Sequence, residues 1–203
     1  MRMPILTFFT LFVIILTLIL KKNESQTNRK NDDFWERERK ANFTRKKDIE
    51  NLAYISFDPD SLPLFAAAND VRAAEYAESL LSLKDKRILN CTGMTNTDLK
   101  LTYGAPNLTR LTEYDQNFTV LVRDLSRLAE RYIELSLESE AVTILEYSID
   151  IGSDVRLSYE MLGNIYAKEN DFAKINNLIE KAEKLNSLSK NSILRYLNDI
   201  IPS

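Results

Sequence analysis

Thirty carboxylates and not one histidine set the terms for any chemistry in this 203-residue chain. Histidine is the commonest general base, proton shuttle and metal ligand, so its absence removes most hydrolytic and metal-assisted mechanisms together. What remains is paired-acid work, in which two carboxyl groups flank a scissile bond. The tightest pair, Asp58-Pro59-Asp60, is built on a proline and reads as turn chemistry. Glutamates on helical stretches read as solvated faces. Cys91 stands in Asn90-Cys91-Thr92 with no histidine to activate it and no second cysteine to pair with, so it reads as a small structural residue. Gly93, Gly104, Gly152 and Gly163 are too scattered to cradle a phosphate, and zinc-ligand spacing is missing. The expectation is a non-enzymatic chain with no catalytic residue, no cofactor, no metal and no small-molecule substrate. Sequons at Asn23, Asn42, Asn90, Asn107 and Asn117 would matter in a secreted eukaryotic protein and are inert in a cytosolic bacterial domain; chance is the favoured reading.

The residue types that carry information are apolar and periodic. Leu128-Ala129-Glu130-Arg131-Tyr132 recurs without a gap 34 residues later as Leu162-Gly163-Asn164-Ile165-Tyr166. The register extends to Leu125 and Tyr159, Ala141 and Ile175, Leu145 and Ile179, Ser148 and Ala182. Within each unit the apolar residues fall at helical spacing, and a period near 34 belongs to arrays of helical hairpins. Leu128, Ala129, Tyr132, Ala141, Leu162, Gly163, Tyr166 and Ala182 are the expected repeat-packing positions. The small residues Ala129 and Gly163 would let the partner helix of the hairpin approach closely. Asn170-Asp171-Phe172 supplies a turn, with Asp171 as N-cap.

These units resemble the tetratricopeptide repeat (TPR). Residues 156–189 match better, with Tyr159, Leu162-Gly163, Tyr166, Asp171-Phe172 and Ala182 at the family's offsets; bulky Ile175 and Ser187 depart from it. Residues 122–155 form a degenerate unit, with Leu125 for the aromatic and Ser148 for alanine. The resemblance covers about a third of the chain and implies a concave groove, lined by the first helix of each pair, for a peptide or helix. Carried over by helical phase, that face comprises Arg123, Ser126, Glu130 and Glu134, then Glu160, Asn164 and Lys168. It lacks the bases to clamp an acidic tail, so a basic or mixed peptide fits better. Two units leave open apolar faces, which non-repeat helices at residues 70–86 and 190–203 would close.

Residues 4–20 carry no charge. That is the short end of the roughly 17–25 residues needed to cross a bilayer, and no small-x-small cleavage site follows, so a transmembrane anchor is expected over a signal peptide. Basic residues crowd the downstream flank, which predicts a cytoplasmic soluble domain; a short signal anchor exporting that domain is the alternative. Residues 21–50 hold ten bases and seven acids, residues 51–203 sixteen and twenty-three. The acidic remainder argues against nucleic acid. Lys21, Lys22, Arg37, Arg39, Lys40, Arg45, Lys46 and Lys47, with Phe34, Trp35 and Phe43, could rest on anionic headgroups at about 1 kcal/mol per base; a solvated stalk fits equally.

Prolines make residues 51–64 an extended connector, and residues 65–121 a mixture of helix and loop, with a loop at 95–104. The collar, this connector and the 95–104 segment are similar to single-pass TPR proteins of clostridial-type Gram-positive bacteria. That likeness implies architecture and a bacterial setting, not chemistry. The expected fold is therefore all-α: an N-terminal transmembrane helix, a basic segment (21–50), the connector, and one compact domain over residues 62–201 holding a TPR-like array (122–189) with capping helices. The expected function is a membrane-tethered scaffold that binds a protein or peptide partner. The alternative is an exported chaperone-like or envelope-assembly accessory factor.

Overall fold

The computed structural model describes residues 3–202, the side chains of 3–7, 14 and 22–30 excepted. Among the described residues every regular element is a helix. They group into two compact units, Met1–Lys47 with Asn96–Asn107, and Asp48–Thr95 with Leu108–Ser203.

The first unit pairs α1 (Met3–Asn42) with α3 (Asn96–Tyr103). Ala41 is fully buried, and Glu38, one turn earlier, takes hydrogen bonds from Lys100 and Thr97. Gly104 ends α3 at φ +94°, where an added Cβ would fall 2.2 Å from the Arg45 carbonyl oxygen. Glycine is required there for both its left-handed backbone and its missing side chain. The close approach lets Ala105 N–H bond Thr44 O and Lys47 N–H bond Tyr103 O, which pins residues 44–47.

Two expectations change here. No helix among the described residues is long and apolar enough to cross a membrane, which overturns the N-terminal transmembrane anchor. The physical reason is that the apolar run stops at the charges of Lys21 and Lys22, at the short end of what a hydrocarbon core of about 30 Å needs. The helix then runs unbroken into the charged residues of the collar, which is helical to Asn42. Within the 95–104 segment, Asn96–Tyr103 is a helix and not a loop, and it groups with α1, so residues 96–107 leave the single domain expected over 62–201.

The second unit holds α2 (Val71–Leu81), α4 (Leu108–Glu134), α5 (Glu138–Asp150), α6 (Arg156–Lys168), α7 (Phe172–Glu183) and α8 (Lys190–Asp199). Asp70 caps α2 by accepting from Ala73 N–H, and Ala73, Ala77 and Leu80 form the stripe that packs on α4. Along α4, Leu111, Tyr114, Phe118, Leu121, Leu125, Leu128 and Tyr132 are buried at three- and four-residue spacings. Before α2 the chain is irregular except for a 3-10 turn at Pro59–Ser61, yet Phe57 and Leu64 are buried in the core. Tyr132 holds this stretch by donating its hydroxyl to the Pro63 and Leu64 carbonyls.

The remaining helices stack as a helical-repeat-like series. Helix α5 packs on α4 and α6, α7 on α6, and α8 on both α6 and α7, with α4 touching α6. The backbone repeats with the sequence. Ser136 (φ 61°) turns the chain between α4 and α5, where Leu137 N–H bonds Tyr132 O. Asn170 (φ 59°) does the same between α6 and α7, where Asp171 N–H bonds Tyr166 O. Non-glycine residues enter this left-handed region rarely, so two such turns 34 residues apart are one structural joint used twice. Asp171 also caps α7 through Lys174 N–H. Gly163 serves a different neighbour from the one expected. An added Cβ there would come within 3.0 Å of Leu197 and Ile200, so it admits α8 and not its hairpin partner.

Candidate functional site

Helix α6 shows two stripes. Leu162, Gly163 and Tyr166 face inward, while Met161 lies three and four residues before Asn164 and Ile165, and Lys168 four and three after them, on an adjoining face. With Ala167 and with Ile133 of α4, this second stripe lines an open concavity. Ile165 forms a buried floor, and Met161, Ala167 and Ile133 are partly covered. Asn164 Oδ1 accepts the Tyr196 hydroxyl at 2.7 Å, which ties the stripe to α8. Lys168 is 72% exposed, its ammonium 3.9 Å from Glu138 of α5. The concavity is thus an apolar floor with one amide and one exposed cation at its edge.

Of the groove residues expected from helical phase, only Asn164 and Lys168 line it. Arg123 binds Asp124 through Nε (2.7 Å) and Nη2 (3.0 Å), and that hydrogen bond raises its pKa. Asp124 is itself buried and accepts from Ser79 of α2, so Arg123 belongs to the α2–α4 joint. Ser126 is buried, its hydroxyl has no hydrogen-bond partner among the described residues, and it offers nothing to a ligand. Glu130 and Glu134 are exposed on α4 outside the concavity, Glu134 paired with Arg131 at 2.5 Å. Glu160 pairs with Arg156 along α6. Ile133, Met161, Ile165 and Ala167 were missed by phase reasoning, which ranked polar residues first. Their signal was the second apolar stripe itself.

The other polar clusters are spent on structure. Between α5, α6 and α7, Tyr166 donates to Glu146 and lies under the Lys174 ammonium at 4.7 Å, while Lys181 pairs with Asp150. Burial first, then the Glu146 hydrogen bond, pushes the Tyr166 hydroxyl far above its ordinary range. Asp70 receives Arg131 through two hydrogen bonds and Ala73 N–H through a third, which hold its carboxyl at about 2. Burial raises the Cys91 thiol to about 11, with Asp115 adding to it, so the nucleophilic thiolate is scarce at neutral pH. No group of three acidic or cysteine side chains is placed to hold a metal ion among the described residues. Asn90, Asn107 and Asn117 spend their amides on the Gly152, Lys47 and Tyr103, and Arg87 carbonyls respectively.

The expected headgroup contacts divide as well. Arg37 pairs with Asp98 at 2.5 Å, and Lys47 donates to Thr102 O at 2.7 Å. Lys21, Arg39, Lys40, Arg45 and Lys46 are exposed, and the Lys22 side chain lies outside the described residues. Compared with protein-family models, curated proteins and solved structures, the chain matches none.

Proposed function

We propose that the second unit is a non-enzymatic binding module of TPR type, which takes an amphipathic peptide or helix of mixed charge against α4 and α6. The observation that carries this reading is the apolar concavity on the first helices of the two repeated hairpins, floored by Ile165 and Met161 with Lys168 and Asn164 at its edge. A repeated array has one face on which successive first helices present side chains together, and an extended or helical ligand meets several of them at once. Apolar side chains at three- or four-residue spacing would fill the floor, and a carboxylate or amide would meet Lys168. Two units give a short groove, so the affinity expected is micromolar.

The test is a selection from a displayed peptide library against full-length protein, with binders remeasured on Met161→Glu. A buried charge on the floor costs at least ten-fold in affinity where the ligand sits there. Binders that hold Met161→Glu and the parent equally well would sink the reading.

A further inference from the structure

The first unit carries a surface that the groove does not explain. From Arg39 to Lys47 the sequence is Arg-Lys-Ala-Asn-Phe-Thr-Arg-Lys-Lys, five bases with no acid. The structure sorts the charges around this run. Glu38 is turned onto Lys100 and Thr97, and Asp98 is taken by Arg37. Arg39, Lys40, Arg45 and Lys46 are exposed and form no ion pair among the described residues. Gly104 and the backbone bonds of Thr44 and Lys47 fix the turn that carries Arg45 and Lys46.

Apolar side chains share this surface. Trp35, Arg39 and Phe43 succeed one another by four residues, so they follow one stripe around and off the end of α1, away from the buried Ala41. Phe43 is 82% exposed and Trp35 66%, and Phe34 packs edge-on against Trp35 while remaining exposed. An exposed tryptophan and two phenylalanines cost free energy in water that a partner would recover. Earlier in the same helix Phe9, Phe12 and Leu16 are exposed too. Asp32, Asp33 and Glu36 lie before the basic run, and leave its end net positive.

We propose that this end of α1, with the turn at residues 43–47, is a docking surface for an anionic lipid bilayer, lying on the headgroups without crossing them. Lipid is favoured over nucleic acid because large apolar side chains accompany the bases along the helix. Aromatic rings settle at the headgroup level, and bases gain from the negative surface.

Trp35 is the chain's one tryptophan and reports directly on the surface. Full-length protein is mixed with vesicles of phosphatidylcholine alone, or with 30% phosphatidylglycerol, and excited at about 295 nm so that Trp35 dominates. The expected result is a blue shift and acrylamide protection with the anionic vesicles, reversed by high salt. The triple variant Arg39→Gln/Arg45→Gln/Lys46→Gln removes three bases whose side chains form no ion pair among the described residues. At about five-fold per base it should bind on the order of a hundred-fold more weakly. Removing the same charge elsewhere, in Arg72→Gln/Lys86→Gln/Arg195→Gln, should leave binding unchanged.

Co-sedimentation with vesicles while Trp35 emission stays as in water would overturn the proposal, since another part of the chain would then hold the lipid. So would equal loss in both triple variants, or no binding at all. A shift that follows protein concentration without vesicles would assign the surface to a second copy, and one produced by an oligonucleotide would assign it to nucleic acid. The groove variant Met161→Glu should bind vesicles as the parent does, which separates failure here from failure of the peptide reading.

Discussion

The same tyrosine position does different work in the two units. Tyr132 bonds the Pro63 and Leu64 carbonyls and anchors the irregular chain before α2, whereas Tyr166 bonds Glu146 on α5. The aromatic Tyr159, where the first unit has Leu125, donates to Ser153 O and closes the α5–α6 turn. Ser148 and Ala182 are a matched pair at equivalent positions, both fully buried, and the Ser148 hydroxyl has no hydrogen-bond partner among the described residues. Ser148→Ala should therefore raise stability by about 1 kcal/mol in chemical denaturation, because it deletes an unpaid desolvation cost and favours helix. Asp70 makes a pH-dependent contribution. Its folded-state carboxyl lies near 2, below its ordinary 3.8. Its stabilisation is complete above that ordinary value and fades as pH falls towards 2. Asp70→Asn retains a capping acceptor but loses the charge, so its Tm deficit against the parent should be full at pH 6 and vanish near pH 2. Cys91 should react with a thiol reagent at pH 7 only as fast as the fold opens, which stopped-time labelling with and without denaturant would measure.

At the scale of elements, the repeated hairpins were legible because their apolar residues keep helical spacing through a 34-residue shift. Helix α3 was not. Leu99, Leu101 and Tyr103 alternate every second residue, a spacing that argues against a helical face, and the rest of the segment is polar. Its helicity comes from partners remote in sequence: Glu38 and Asn42 receive Lys100, and Leu99 is buried. The anchor was misjudged for the opposite reason, since an uncharged run has no periodicity and only its length could decide. Gly163 was recognised as a close-approach position, but a sequence echo cannot say which helix approaches. Gly163→Val tests the assignment to α8. Overpacking against Leu197 and Ile200 should cost about 1–3 kcal/mol and speed hydrogen exchange across Lys190–Asp199. Exchange in α4 and α5 should change far less.

For the whole molecule, charge and shape divide between units that each make sense alone. One presents a basic, aromatic helix end; the other is an acidic helical stack with an apolar concavity. The polar groove residues were the least legible part of the candidate site. Phase places a side chain on a face, but not whether a neighbour such as Asp124 or Arg156 has already engaged it. The left-handed turns at Ser136 and Asn170 have a consequence of their own. They are equivalent seams: the stretch between them begins and ends on the same backbone geometry. A tandem copy of residues 137–170 would meet its neighbours through joints the chain already makes. Lengthening by duplication thus needs no new turn, and the short stack carries the grammar of a longer one.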